Sequence, residues 1–277
     1  GLQYFRLAHN NTSALEPRLS AKWNINPKSN IAIGYGLHSQ MQTMNVYFAQ
    51  EKLPNGEIFL PNKNLDLTKA HHYVFSYSRR VAKDLQAKAE MYYQQLFDVP
   101  VSIYDSSTLS TLNVQSEYIT EPLENTGTGR NYGVEISLER YLKNNFYLTL
   151  NNSIYQSKYT AKDGVERNTR FNGNYIVTLI GGKDFVNEKK SRTYSINLKA
   201  IYAGGMRTTP INFKASKQEG HTVFYEEEAF SLQNPAYFRG DIRVAVTWNR
   251  KRFTSTLSLD IQNFINGQFI NASTDRT

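Results

Sequence analysis

The clearest hydrophobic pattern in the chain lies between residues 129 and 159. Hydrophobic side chains alternate with polar or small ones on both sides of a short Asn-rich connection, Lys143-Asn144-Asn145. The hydrophobic positions are Tyr132, Val134, Ile136 and Leu138 before the connection and Phe146, Leu148, Leu150 and Ile154 after it. A period of two predicts strands, and a short connection between two such runs predicts a hairpin. Runs of about ten residues exceed the usual soluble strand and are typical of a bilayer-spanning β-barrel.

The same alternation recurs along the rest of the chain. It predicts an all-β protein of about eleven strands, two of which form the hairpin just described. The other strands are predicted at residues 2–8, 17–25, 30–38, 71–80, 85–96, 174–185, 193–203, 237–248 and 253–264.

The connections between the predicted strands differ in length in a regular way. Short polar turns follow the second, fourth, sixth, eighth and tenth strands, and longer segments such as 39–70, 97–128 and 204–236 follow the odd-numbered strands from the third to the ninth. In an up-and-down arrangement this order places every short turn at one end and every long loop at the other. Transmembrane barrels of the outer membrane have this asymmetry.

Composition narrows the function classes. The chain has 277 residues, 40% of them hydrophobic, and none of its apolar runs approaches the ~20 residues of a membrane helix. Its 19 Tyr and 15 Phe suit interfacial aromatic belts, although they would also suit a sugar-binding β-sandwich. The net charge of +8 comes from scattered Lys and Arg, which argues against nucleic-acid binding and favours contact with anionic lipid and lipopolysaccharide, or a basic lumen.

Several short segments, spread over nearly the whole chain, are similar to those of one known family of barrels. The segments are Leu15-Glu16-Pro17-Arg18, Ile33-Gly34-Tyr35-Gly36-Leu37-His38-Ser39-Gln40, Ala70-His71-His72-Tyr73, Glu90-Met91-Tyr92-Tyr93-Gln94 with Val99-Pro100-Val101, Asn125-Thr126-Gly127 with Tyr132-Gly133-Val134-Glu135, and Leu259-Asp260-Ile261-Gln262-Asn263. Each segment is weak by itself, but together they resemble the barrels of TonB-dependent outer membrane receptors of the Bacteroidetes type.

This resemblance implies that residues 1–277 are the C-terminal portion, roughly half, of a barrel of about 22 strands. Receptors of this family have a plug domain and an N-terminal segment that contacts the TonB system, and neither is recognisable in this chain, nor is the terminal strand. The subfamily implied is that with a carboxypeptidase-regulatory-like domain, with the SusC-type glycan importers as neighbours. A surface lipoprotein of the SusD type is a further partner that the resemblance suggests.

The candidate ligand-binding residues fall into two sets. Aromatic side chains in the long loops suit ligand capture, although they could equally pack the loops against each other or against a partner: Tyr47, Phe48, Tyr104, Tyr118, Phe224 and Tyr225. Charged side chains on the predicted lumen face suit contact with a plug or solute, although a water-filled lumen needs polar residues in any case: Glu135, Glu139, Arg239 and Arg243, accompanied by Asp241 and Asp260.

Other chemistry lacks a signal in the sequence. The chain has no cysteine, which excludes disulfides, thiol nucleophiles and Cys-ligated metals. No nucleophile motif, phosphate-binding loop or His-Glu metal motif is present, so no catalysis and no cofactor are expected. His71 and His72 should face opposite sides of a strand, and His9, His38 and His221 are expected to be isolated, so no metal site is expected.

The function predicted from these observations is uptake of a scarce nutrient by a TonB-dependent receptor in a Gram-negative outer membrane. The ligand class stays open among iron chelates, glycans, peptides and vitamins. A passive porin-like or structural barrel is the first alternative. A soluble extracellular β-rich binding module is the second, and it would bury Tyr73, Phe75 and Tyr77, and Leu257, Leu259 and Ile261, in a core.

Overall fold

Eleven strands form one antiparallel sheet in the computed structural model, which describes residues 1–114 and 119–265. We number them in chain order: β1 (Leu2–Arg6), β2 (Ser13–Asn26), β3 (Ser29–Gln40), β4 (Thr68–Ala82), β5 (Leu85–Ser102), β6 (Leu123–Lys143), β7 (Phe146–Thr160), β8 (Tyr175–Asn187), β9 (Arg192–Ala203), β10 (Tyr237–Asn249) and β11 (Thr254–Ile261). Each strand pairs with the preceding and following strands, and the short strand Glu166–Asn168 adds to β7. The predicted number and order of strands are confirmed.

All the short turns lie at one end of the sheet, the turn end, and the long connections lie at the other, the loop end. The turn between β6 and β7 shows how sequence sets the geometry. Asn144 and Asn145 have φ values of 53° and 59°, as a two-residue type I′ turn requires, and Asn tolerates this left-handed conformation better than most residues. The predicted two-ended arrangement of connections is therefore confirmed.

The sheet has an apolar face and a polar face, kept separate by the strand register. One row of directly opposed residues on the apolar face runs through Ala21, Ile33, Phe75, Met91, Val134 and Ile154. These side chains do not pack into a core. Tyr73 is 47% exposed and Leu257 is 68% exposed, which contradicts the burial that a soluble binding module would require.

Aromatic rings line the loop end of the apolar face. Tyr73 lies 5.3 Å from Tyr35 and 6.5 Å from Tyr93 between ring centroids, and Tyr93 lies 6.5 Å from Tyr132. A second group continues the row on later strands, with Tyr202 5.4 Å from Tyr175 and 6.3 Å from Phe238. Rows of this kind are typical of strands that cross the lipid–water interface.

The buried hydrophobic core lies among the loops rather than between layers of the sheet. Its members come from the segments around β1 and from the loops that follow β3 and β5: Leu7, Ala14, Val46, Tyr47, Leu65, Leu67, Ile119 and Leu123. The fully buried Asn62 joins two of these loops, since its amide group donates to Glu121 O at 3.1 Å and accepts from Leu123 N at 2.8 Å.

The loops also contain short regular elements. The helices are α1 (Met44–Tyr47) and α2 (Phe213–Glu219), and 3₁₀ turns occur at Thr111–Asn113, Glu188–Lys190 and Glu226–Glu228. Glu51–Lys52 pairs with Ile58–Phe59, and Arg207–Thr208 pairs with Leu232–Gln233. Within the described residues, none of the helices has the length and apolarity needed to cross a membrane.

The predicted loop at residues 97–128 is too long. β5 continues to Ser102 and β6 begins at Leu123, so this hairpin extends beyond the apolar face. Register shifts between Leu96 and Val99 and between Val99 and Val101 break the alternation on which the prediction depended. Gly127 allows the close approach, because a Cβ there would lie 2.3 Å from Val101 Cγ1.

Candidate ligand-binding site

A cavity of about 380 Å³ lies at the loop end, where three long loops meet. The loops are 103–122, 161–174 and 204–236, which we call loops A, B and C. Loop A contributes Ser107, Thr108, Leu109, Ser110, Asn113 and Glu121; loop B contributes Arg170; loop C contributes Met206, Arg207, Thr208, Thr209, Phe224, Glu226, Phe230 and Asn234.

Hydrogen bonds between the loops hold the cavity in shape. The buried Asn113 of loop A accepts a bond from Arg170 N of loop B at 2.9 Å. Thr108 of loop A donates to the Glu226 carboxylate of loop C at 2.5 Å. Arg207 of loop C donates to Asn172 O at 3.0 Å and to Asn174 Oδ1 at 3.1 Å. The cavity walls are therefore fixed by polar contacts from all three loops.

The wall of the cavity carries both signs of charge beside aromatic rings. Burial lowers the pKa of the Arg207 guanidinium, and among the described residues no carboxylate lies within ion-pair distance of it. The Arg170 guanidinium lies 5.9 Å from the centroid of the Phe230 ring. Glu226 and Glu121 also line the cavity. Such a site can bind a ligand that offers hydrogen-bonding groups and an apolar surface together.

The loop aromatics singled out from the sequence are only partly brought together. Phe224 lines the cavity and is 39% exposed, and its neighbour Tyr225 is exposed beside it. Phe48 is exposed at another place, with its ring 4.9 Å from His9, and Tyr104 is exposed in loop A. Tyr118 lies outside the described residues.

Tyr47 does not lie on a surface where it could capture a ligand. Its side chain is fully buried in the loop core, and its hydroxyl group accepts a bond from Gln42 N at 3.3 Å. A side chain without exposed surface cannot contact a ligand in this conformation. For Tyr47 the structure supports the second interpretation, in which loop aromatics pack the loops together.

The charged residues predicted for the lumen wall all lie on the polar face, but in two separate groups. Glu135 lines a hollow of about 630 Å³ that Phe171 of loop B also lines, and Glu139 lies nearer the turn end of the same strand. Arg239 donates to Asp241 at 2.8 Å, and Arg243 lies 3.6 Å from Asp260. β6 and β10 are four strands apart, roughly 19 Å across the sheet, so these groups do not form one site.

Arg207, Arg170, Glu226 and Phe230 were not predicted as site residues. They lie in loops without periodic patterning. Glu226 belongs to an acidic run, Glu226-Glu227-Glu228, that is typical of a solvated surface. Their convergence depends on how three loops dock, for which the sequence carries no signal. In the described part of the chain, no group of three or more His, Asp or Glu side chains could hold a metal ion.

An ion pair in loop B gives a testable prediction about the cavity wall. Arg167 Nη2 lies 2.7 Å from Asp163 Oδ2, and the Arg167 side chain is only 9% exposed. We expect Asp163→Asn to destabilise the docked loop by about 1–3 kcal/mol, because it leaves a nearly buried guanidinium without its anion. Faster hydrogen–deuterium exchange in residues 161–174 would report the change. Glu219→Gln, an exposed carboxylate in α2, is the control, and equal exchange in both variants would contradict the prediction.

The same pair sets a pH dependence. The hydrogen bond from Arg167 lowers the pKa of Asp163 below its ordinary value of 3.8. A depressed carboxyl pKa means that the stabilisation is complete above pH 3.8 and is lost as the pH falls through the lowered value. After correction for intrinsic rates, the hydrogen–deuterium exchange rates of residues 161–174 in the unmodified protein should therefore equal those of Asp163→Asn well below pH 3.8. At pH 6 the unmodified protein should exchange more slowly than the variant.

Comparison with solved structures shows the same fold in outer membrane transporters. The chain superposes on the outer membrane transporter YddB from Escherichia coli with a TM-score of 0.62 and 13% identity, covering 95% of this chain and 38% of that one. It superposes on the ferripyoverdine receptor of Pseudomonas aeruginosa with a TM-score of 0.61 and 11% identity, covering 91% of this chain and 29% of the receptor. It superposes on the ferric yersiniabactin uptake receptor FyuA from Yersinia pestis with a TM-score of 0.59 and 12% identity, covering 95% of this chain and 35% of FyuA.

The chain therefore spans about a third of the length of these structures. No curated protein matches it. The family model for the TonB dependent receptor-like β-barrel matches residues 3–264. The chain belongs to the TonB-dependent receptor family, and it matches that family through the β-barrel.

Proposed function

We propose that this chain forms part of the barrel of a TonB-dependent receptor that takes up a scarce nutrient across a Gram-negative outer membrane. The observation that carries the proposal is the two-faced, two-ended sheet. Its apolar face suits lipid, its polar face suits a lumen, and its long loops enclose a cavity at one end. The turn end is then periplasmic and the loop end extracellular.

The complete barrel in this proposal has about 22 strands and encloses a plug domain supplied by another part of the protein. The TonB system of the inner membrane drives transport through that region. The loop-end segments that resemble Bacteroidetes receptors support the subfamily with a carboxypeptidase-regulatory-like domain. A SusD-type surface lipoprotein would sit over the same loops.

In this function the cavity between loops A, B and C captures the ligand. Phe224 offers aromatic surface there, with Tyr225 exposed next to it in the chain, and Arg207 offers a cation without a carboxylate partner among the described residues. Glu135, Glu139, Arg239 and Arg243 line the path behind it. The ferripyoverdine and ferric yersiniabactin receptors are named for iron chelates, and the present cavity is equally compatible with a glycan, a peptide or a vitamin.

A test in the native host separates this function from passive diffusion. Strains lacking the receptor or TonB are grown on limiting iron chelates, glycans, peptides and vitamins. The proposal requires at least one nutrient whose use fails in both strains. Phe224→Ala or Arg207→Ala should reduce uptake of that nutrient while the amount of receptor at the surface is unchanged. Uptake that needs the receptor but not TonB would establish a passive pore instead.

A further inference from the structure

Two histidines far apart in sequence meet on the polar face near the loop end. The His38 and His72 ring centroids are 4.6 Å apart, with the rings tilted by 48°. His71 points to the opposite face, where its ring stacks 5.0 Å from Phe97. The expectation that His38 is isolated is therefore wrong, because the register between β3 and β4 brings it beside His72.

A glycine makes this meeting possible. Gly36 lies directly opposite His72 in the register between β3 and β4. His38 folds back over Gly36, so that a Cβ on Gly36 would lie 2.7 Å from His38 Nε2. Any larger residue at position 36 would displace the His38 imidazole from its place over Gly36.

In the part of the chain that the structure describes, the two imidazole rings are not held by other polar groups. Among the described residues, neither ring forms a hydrogen bond, whereas His71 Nδ1 is bonded to the Tyr35 hydroxyl group at 3.0 Å. Arg18, whose Cγ would lie 3.6 Å from a Cβ on Gly36, forms an ion pair with Glu16 at 2.8 Å. The half-buried pair therefore lies on the polar face with both rings free of hydrogen bonds to the described residues.

The ring separation fits joint coordination of one metal ion. An imidazole that binds a metal at about 2.0–2.1 Å places its ring centroid about 3.2 Å from the ion. If the two metal–nitrogen bonds meet at a right angle, the two ring centroids are about 4.5 Å apart. If the bonds meet at a tetrahedral angle, the centroids are about 5.2 Å apart. The observed 4.6 Å agrees with the right-angled arrangement that Cu²⁺ and Ni²⁺ prefer.

We propose that His38 and His72 form a binding site for a divalent late transition metal ion on the polar face. The two imidazoles supply two adjacent ligands, and water or a ligand fills the other positions. Cu²⁺ should bind most tightly, because it leads the divalent series for nitrogen ligands. The site does not depend on which nutrient the receptor takes up.

The test uses the intact receptor in detergent, with any affinity tag removed, titrated with CuCl₂ at pH 7.5, because metal binding requires deprotonated ligands. Calorimetry should show one equivalent of Cu²⁺, and pulsed electron paramagnetic resonance should show two coordinated imidazoles. His38→Ala and His72→Ala should each weaken this binding by about tenfold or more. Gly36→Ala should weaken it as well, although it removes no ligand atom.

His221→Ala, which removes an exposed histidine of loop C, is the matched control and should leave Cu²⁺ binding unchanged. The spectrum of the unmodified receptor decides the question even where a variant fails to fold. A signal from one imidazole or none, or binding that survives both His38→Ala and His72→Ala, would overturn the proposal.

Discussion

Replacing Val134 by arginine is expected to lower the free energy of unfolding of the barrel in a lipid bilayer by about 2–4 kcal/mol. Val134 lies in the middle of the apolar face, 40% exposed, between Met91 and Ile154 on the neighbouring strands. A guanidinium there would meet hydrocarbon near the bilayer midplane. Urea titration of the receptor in lipid vesicles, followed by the fluorescence of Trp23 and Trp248, measures the change.

Ser137→Arg is the matched control for Val134→Arg. Ser137 lies on the same strand but on the polar face, opposite Lys88 and Asn151. The same charge in a hydrated lumen should change the free energy of unfolding by no more than about 0.5–1 kcal/mol. Equal costs at positions 134 and 137 would show that the two faces do not have the environments assigned to them.

The second large effect is expected at Gly205, where loop C leaves β9. A Cβ on Gly205 would lie 2.0 Å from Asn234 O and 2.5 Å from Pro235 O, and backbone atoms cannot move aside as a side chain can. We expect Gly205→Ala to cost about 1–3 kcal/mol in the docking of loop C, since overpacking displaces the backbone. Met206, Arg207 and the rest of that cavity wall should move with it.

Limited proteolysis of the folded receptor measures this effect. The population with an open loop C should rise roughly 5–150-fold, and cleavage within residues 204–236 should accelerate accordingly. Gly34→Ala is the control, because the nearest atom to a Cβ there is Val74 Cβ at 4.0 Å. Unchanged cleavage in Gly205→Ala would mean that the close contact between residues 205 and 234 is not maintained in the protein.

The sheet could be predicted from the sequence because one of its faces is apolar and the other polar. This difference marks every second residue, so the strands, their order and the Asn144-Asn145 turn are all visible in the pattern. The alternation ends where the strands leave the apolar environment. That is why the extension of β5 and β6 as far as Ser102 and Leu123 was missed.

The loops could not be predicted in the same way. Tyr47 and Phe224 are both aromatic loop residues in sequence, yet one is buried in the loop core and the other lines the cavity. The pairing of His38 with His72 depends on a register that alternation does not fix between separated strands. The cavity residues Arg170 and Arg207 meet only through the docking of loops B and C.

The most direct test of the barrel assignment determines which face of the sheet meets lipid. Because the chain has no cysteine, single cysteines can be introduced at each position from 134 to 139 and labelled with a fluorophore before refolding into vesicles that contain nitroxide-labelled lipids. We expect strong quenching at positions 134, 136 and 138 and weak quenching at 135, 137 and 139. Uniform quenching along the strand, or the opposite alternation, would contradict the assignment of this chain as the wall of an outer membrane barrel.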